Sequence, residues 1–236
     1  TDKLVFCVDV ANTKSYPGSG TSLYDLSGNN YDGTMSDVTI TSDGHMSFNG
    51  QNPGSAVAFS ESNISKDPSL YLGDSSGKLT YECWINKQGT NHNAGDARVM
   101  STDASEYTTL VISQASDNRI RFYVDGNNTN LTAPTEYAIS NDTWYHIVAT
   151  YDSSITTDAV KIYRNGELIA STNYTFSGTY GDGTSRPLAI GSNTESAVAY
   201  NNGLNGYIDI CRIYGKPLSA DEVKQNFNAT RGRFGI

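Results

Sequence analysis

The chain has 236 residues and a formal net charge of −9, with 25 acidic side chains scattered among 16 Lys and Arg. That balance argues against a nucleic-acid partner, which needs clustered cations, and the lack of a basic amphipathic stretch or a long apolar run argues against a membrane role. The rest is polar and rich in Gly, Ser, Thr and Asn with 16 Tyr, the composition of an all-β chain with many turns.

In chain order, Leu4–Val10 (LVFCVDV) is almost continuously apolar, as a strand covered on both faces requires. A turn-rich stretch from Asn12 to about Gly44 follows, with short strands expected at His45–Asn49 and Ala56–Phe59. Lys78–Asn86 (KLTYECWIN) reads as a core strand. Arg98–Ser101, Thr108–Ser113 and Arg119–Val124 form a meander, and Thr143–Tyr151 (TWYHIVATY) is the strongest strand signal. Val160–Ser171 is a hairpin closed by Asn165-Gly166, because both turn positions can take positive φ. That register sets Arg164 opposite Glu167 and Ile162 opposite Ile169. Pro187–Gly191 and Leu204–Tyr214 supply the last strands. One helix, about Ala220–Asn228, closes the chain, with Ser219 as N-cap, Glu222 completing a capping box, and Leu218 and Val223 spaced as a hydrophobic staple. These elements predict one domain over 1–236, an all-β, two-sheet antiparallel jelly-roll sandwich with one short C-terminal helix.

Cys7, Cys83 and Cys211 are odd in number, far apart and in predicted strands, which predicts buried free thiols and suits a reducing cytosol. With no leader visible, synthesis and folding in a cytoplasm are expected. No zinc spacing, nucleophile elbow or P-loop is present. His45 and His92 lie in or beside loops, and His146 shares a strand face with Trp144 and Val148, the usual setting of a structural His.

The run LNGYIDICRIYGKPLSADEVKQNFNA at Leu204–Ala229 resembles the closing signature of the concanavalin A-like lectin/glucanase superfamily, laminin-G-like branch. TWYHIVATYD followed by VKIYRNGEL, the opening LVFCVDVANTKSYPGSG and the loop DLSGNNYDGTM are similar to the same family. The opening and the tail QNFNATRGRFGI also resemble laminin-G-like structural proteins of tailed, notably marine, phages. The resemblance implies a non-catalytic virion surface protein, such as a capsid decoration, head-fibre or tail-fibre component. Its partners would be other virion proteins, surface glycans and further copies of itself. A secreted, extracellular carbohydrate-binding lectin module is the alternative, and a polysaccharide-degrading enzyme comes third.

Three sets of residues are candidates for a site, and no catalytic residue is assigned. The enzyme branch carries E-x-D-x-x-E on one strand face, a pattern missing here, where Glu82 and Asp209 each stand alone in their strands. For glycans, Tyr107, Tyr180 and Tyr200 offer rings, and Asn193, Asn201 and Asn202 amides, in loop segments; the same rings also serve as rim packing. Trp84 and Trp144 lie mid-strand and read as core. For calcium, Asp25, Ser27, Asn29 and Asp32 place oxygens at alternating positions, with Asp9 or Asp209 approaching from the end strands. The same loop also fits plain Asx turns. Residues 229–236, through Arg231, Arg233 and Phe234, are the candidate docking tail; a frayed terminus is the other reading.

Overall fold

The computed structural model describes residues 2–50, 56–59, 77–89, 97–101, 109–112, 117–124, 130–175, 188–196, 199–201 and 203–236. β1 (Leu4–Val8) opens the chain and is followed by β2 (Ser22–Leu23), β3 (Gly33–Ser36) and β4 (Thr39–Ile40). These three sit in the stretch expected to be turns; they are only two to four residues long, too short for alternation to stand out. β5 (Met46–Asn49), β6 (Ala56–Phe59), β7 (Lys78–Lys87), β8 (Ala97–Ser101), β9 (Thr109–Ile112) and β10 (Ile120–Tyr123) fall where the sequence places strands. β11 (Asn130–Thr132) was not expected. β12 (Trp144–Asp152), β13 (Val160–Arg164), β14 (Glu167–Thr172) and β15 (Ala189–Ile190) follow the expected spans. β16 (Asn193–Ser196) and β17 (Ala199–Asn201) form a hairpin inside a segment read as a polar loop. β18 (Asn205–Tyr214) leads into α1 (Ala220–Thr230), which runs on as a 3-10 turn at Arg231–Phe234.

Among the described residues, sixteen of the strands pair into two eight-stranded sheets, and β16 and β17 pair only with each other. The first runs β14–β13–β12–β7–β18–β5–β4, with β1 also paired to β18; the second runs β11–β10–β9–β8–β15–β6–β3–β2. The ladders are antiparallel in both, giving the expected sandwich. Alternation sorts the side chains. Leu79, Tyr81, Cys83 and Ile85 of β7, Ile147, Ala149 and Tyr151 of β12, and Ile208, Cys211 and Ile213 of β18 join Val99, Ile120 and Phe122 of the opposite sheet in one buried cluster. Each fully buried large apolar side chain contributes roughly 1.5–3 kcal/mol relative to exposure. All three cysteines are free and buried, as expected.

Asn165 and Gly166 take φ of 52° and 79°, the turn that the dipeptide predicts, and Arg164 faces Glu167. The expected Ile162–Ile169 rung is corrected: Ile162 pairs with Ala170 and Tyr163 with Leu168. A bulge between Ile162 and Tyr163 leaves Ile169 without a rung partner, and both isoleucines still reach the core. At the far end, the Ser219 side chain accepts from Glu222 N while the Glu222 side chain accepts from Ser219 N, the expected capping box. Leu218 and Val223 share a buried cluster with Val148, Tyr163 and Tyr214, so the staple pins α1 across the outer face of the first sheet.

Candidate functional site

The residues that alternate away from the core on β7, β12 and β18 point toward α1 and the tail. Thr80, Glu82, Trp84 and Asn86 of β7 are all buried, so this outer face is a second interior. Period two gives the orientation of these side chains; the C-terminal segment supplies their cover.

Glu82 is fully buried beneath α1. Its Oε1 accepts from Arg212 Nη1 at 2.6 Å and from His146 Nε2 at 3.1 Å, and its Oε2 accepts from Asn226 Nδ2 at 2.8 Å. Burial alone raises the carboxyl pKa, but the His146 hydrogen bond, the Arg212 charge and Asn226 outweigh it and bring it down to about 2. The carboxylate is therefore ionised and saturated with donors. His146 is buried, as a structural His would be, and stacks obliquely between Trp84 and Phe227.

A bulge in β18 builds the other half of the face. Asp209 pairs with Trp84 and Arg212 with Glu82, so three steps along β18 match two along β7. Ile210 takes φ of 40°, costly for a β-branched residue, and its N–H donates to Asp209 Oδ1 at 2.8 Å. The distortion turns Asp209 and Ile210 to the same outer face. There Asp209 Oδ2 lies 2.7 Å from His45 Nδ1 and accepts from Arg233 Nη2 at 2.7 Å. Burial raises the Asp209 carboxyl pKa, with the pull of His45 and Arg233 opposing it.

The tail closes over this acid. Arg233 reaches Asp9 Oδ1 with Nη1 at 2.7 Å, so one guanidinium spans Asp9 and Asp209. Phe234 stacks on Trp84, with ring centroids 4.0 Å apart and planes at 16°, and tilts against Trp144 at 4.8 Å. Trp84 Nε1 donates to Thr230 Oγ1 at 3.0 Å. Two of the candidate docking residues, Arg233 and Phe234, thus also hold the tail to its own domain. Both are engaged by their own domain because the sheet offers an aromatic shelf and two carboxylates at that spacing. Arg231 is exposed and lies over the Phe227 ring at 5.8 Å.

The calcium candidates form two separate clusters. Asp25 Oδ1 accepts from Cys7 N and Ser27 N, both at 2.9 Å, and its Oδ2 accepts from Ser27 Oγ at 2.6 Å and Tyr31 N at 3.3 Å. Asp32 Oδ1 accepts from Asp25 N, and Asn29 Nδ2 donates to Val5 O, which also lies 2.8 Å from the Ser27 hydroxyl oxygen. The loop is thereby tied to β1 by Asx-type hydrogen bonds. Asp9 and Asp209 make the second cluster, joined by Arg233. Among the described residues, no group of three or more His, Cys, Asp or Glu is arranged to hold a metal ion. Of the glycan candidates, Asn193 lies on β16 and Tyr200 and Asn201 on β17, with Asn193 paired to Asn201 and Thr194 to Tyr200. Tyr107, Tyr180 and Asn202 lie outside the described residues.

Residues missed by sequence reasoning are the partners of Glu82: Arg212, His146 and Asn226. The available signal was a lone Glu on an apolar strand, which demands a donor somewhere.

Comparison with known proteins agrees with this fold. The family model described as the concanavalin A-like lectin/glucanases superfamily matches residues 72–224, well over half of the chain. No curated protein matches the sequence. Among solved structures, domain 4 of the extracellular GH43 arabinanase of Geobacillus stearothermophilus, in complex with arabinotriose, superposes with a TM-score of 0.64 at 19% identity, covering 94% of this chain and 97% of that one. Trypanosoma rangeli sialidase in complex with sialic acid gives a TM-score of 0.67 at 11% identity over 99% of this chain. A structure of botulinum neurotoxin type C, which depends on two ganglioside molecules to enter cells, gives 0.64 at 16% identity over 96% of this chain. This chain spans 34% of the sialidase and 51% of the toxin chain, so those two likenesses concern one part of a larger protein. With a lectin-like jelly roll, a closing Y-I-D…R-I-Y strand under its capped helix, and the family match across its middle, this chain belongs to the concanavalin A-like lectin/glucanase superfamily.

Proposed function

We propose that this chain is a non-catalytic adhesion domain displayed on the virion of a tailed phage, held by protein contacts and touching glycans through the β16–β17 rim. The observation that carries the non-catalytic part is the engagement of the two outer-face acids. A retaining glycosidase needs two carboxyl groups about 5 Å apart beside space for substrate. Glu82 and Asp209 instead accept from Arg212 and Arg233, beneath a helix and a tail that belong to the same chain.

The glycan part is supported by the family and by the saccharide ligands of the neighbours named above. The virion part is supported by the opening and closing segments that resemble phage structural proteins. Those two segments meet through the Arg233–Asp9 ion pair. A secreted carbohydrate-binding module is the second reading, favoured by the near end-to-end match to the arabinanase domain.

Mass spectrometry of purified virions with immunogold imaging, alongside a glycan array of the purified chain, tests the proposal. The protein is expected on particles and on the array, with signal reduced by Tyr200→Ala. Presence in the culture medium but not on particles favours the secreted module. Polysaccharide turnover that is lost in Glu82→Gln would overturn the non-catalytic reading.

A further inference from the structure

Between β1, β18 and α1 lies a cavity of about 430 Å³, a volume in the range of small-molecule sites. Its walls differ in chemistry. Leu4, Leu26 and Leu218 make an apolar side, and Arg212, Tyr214, Gln225 and Asn226 make a polar one.

The polar side is fixed from behind. Arg212 and Asn226 are both held by the fully buried Glu82, one on each carboxylate oxygen, at 2.6 and 2.8 Å. Asn226 Nδ2 also donates to the Tyr214 hydroxyl at 3.2 Å. A single ionised carboxylate thus orients three cavity-lining groups, which gives a buried Glu in an apolar strand a purpose beyond packing. Groups held this way lose little freedom when a ligand arrives.

Charge selects the ligand class. Arg212 has its counter-ion in Glu82, and Lys216 at the rim has two, Asp2 at 3.1 Å and Glu222 at 2.7 Å. No surplus positive charge is left for a carboxylate or sulfate. What remains is a set of amide, guanidinium and hydroxyl groups facing a wall of leucines, which complements a pyranose with its hydroxyl edge and C–H face. We infer that this cavity binds a neutral monosaccharide unit of a glycan, at a place distinct from the β16–β17 rim. The inference rests on the adhesion reading above and adds a second contact to it.

The test titrates the full chain with galactose, mannose, N-acetylglucosamine and arabinose, with N-acetylneuraminic acid as the anionic comparison, by saturation-transfer NMR. Gln225 and Ala229 are exposed helix residues that line the cavity, so Gln225→Ala and Ala229→Trp change the site without disturbing the core. A neutral sugar is expected to bind, and both variants to weaken it about tenfold, Gln225→Ala by removing a hydrogen-bonding amide and Ala229→Trp by filling the space the sugar would take. Ile155→Ser, on an exposed turn away from the cavity, serves as the unaffected control. A neutral sugar bound equally well by Ala229→Trp overturns the cavity site and leaves the adhesion reading standing. Preference for N-acetylneuraminic acid overturns the neutral class. Failure of every sugar, together with a blank glycan array, overturns both.

Discussion

At the scale of single residues, the molecule is governed by acids that found partners. The Glu82 carboxyl sits at about pKa 2 in the fold against an ordinary value of 4.5. A depressed acid contributes stability in full above its unfolded pKa and loses it as pH falls toward the folded one. Stability should therefore fall between about pH 4.5 and 2, by on the order of 3 kcal/mol from this group alone. Urea midpoints measured across that window check it: Glu82→Gln should be weaker at neutral pH and should lack this part of the acid slope, and an identical slope in the two proteins would contradict the assignment. Asp25 makes a different prediction. Its four accepted hydrogen bonds bind the loop to β1 and itself, so Asp25→Ala should cost about 1–3 kcal/mol through stranded N–H groups. The loss should be the same in calcium and in chelator. A melting temperature that rises with calcium in the natural protein, and not in the variant, would instead make this loop a cation site.

Among elements, the decisive one is the last. α1 and its 3-10 extension convert one face of a sheet into a second interior, and Phe234 is the keystone of that contact, 7% exposed and stacked on Trp84. Phe234→Ala should destabilise by about 3 kcal/mol, the low end for truncating a buried Phe. It should also shift tryptophan emission to the red as Trp84 and Trp144 gain water; unchanged emission would mean the tail is not what shields them. The start of this element was legible in sequence, because a capping box and staple are local chemistry within five positions. Its destination was not. The hairpin at Asn165-Gly166 shows the same division: two residues determine the turn, while the bulge that follows depends on how Ile162 and Ile169 both reach a core assembled from other strands.

For the molecule as a whole, the three thiols report on the integrity of the sandwich. Cys83 and Cys211 are fully buried and Cys7 nearly so, and burial pushes all three pKa values up. Native protein should leave all three unmodified by a thiol reagent, and labelling should rise together with global unfolding. Early labelling of Cys7 alone would show that β1 opens ahead of the core. Taken by itself, the sequence determined the layer architecture, the faces of the long strands and the closing helix, because alternation, turn pairs and caps act over a few neighbours. Only the tertiary structure decided what those faces meet. Glu82 takes its donors from 64, 130 and 144 positions away, and Arg233 finds one of its acids 224 positions away. No local pattern encodes such meetings, since a strand's alternation says which way a side chain points and is silent on what will cover it.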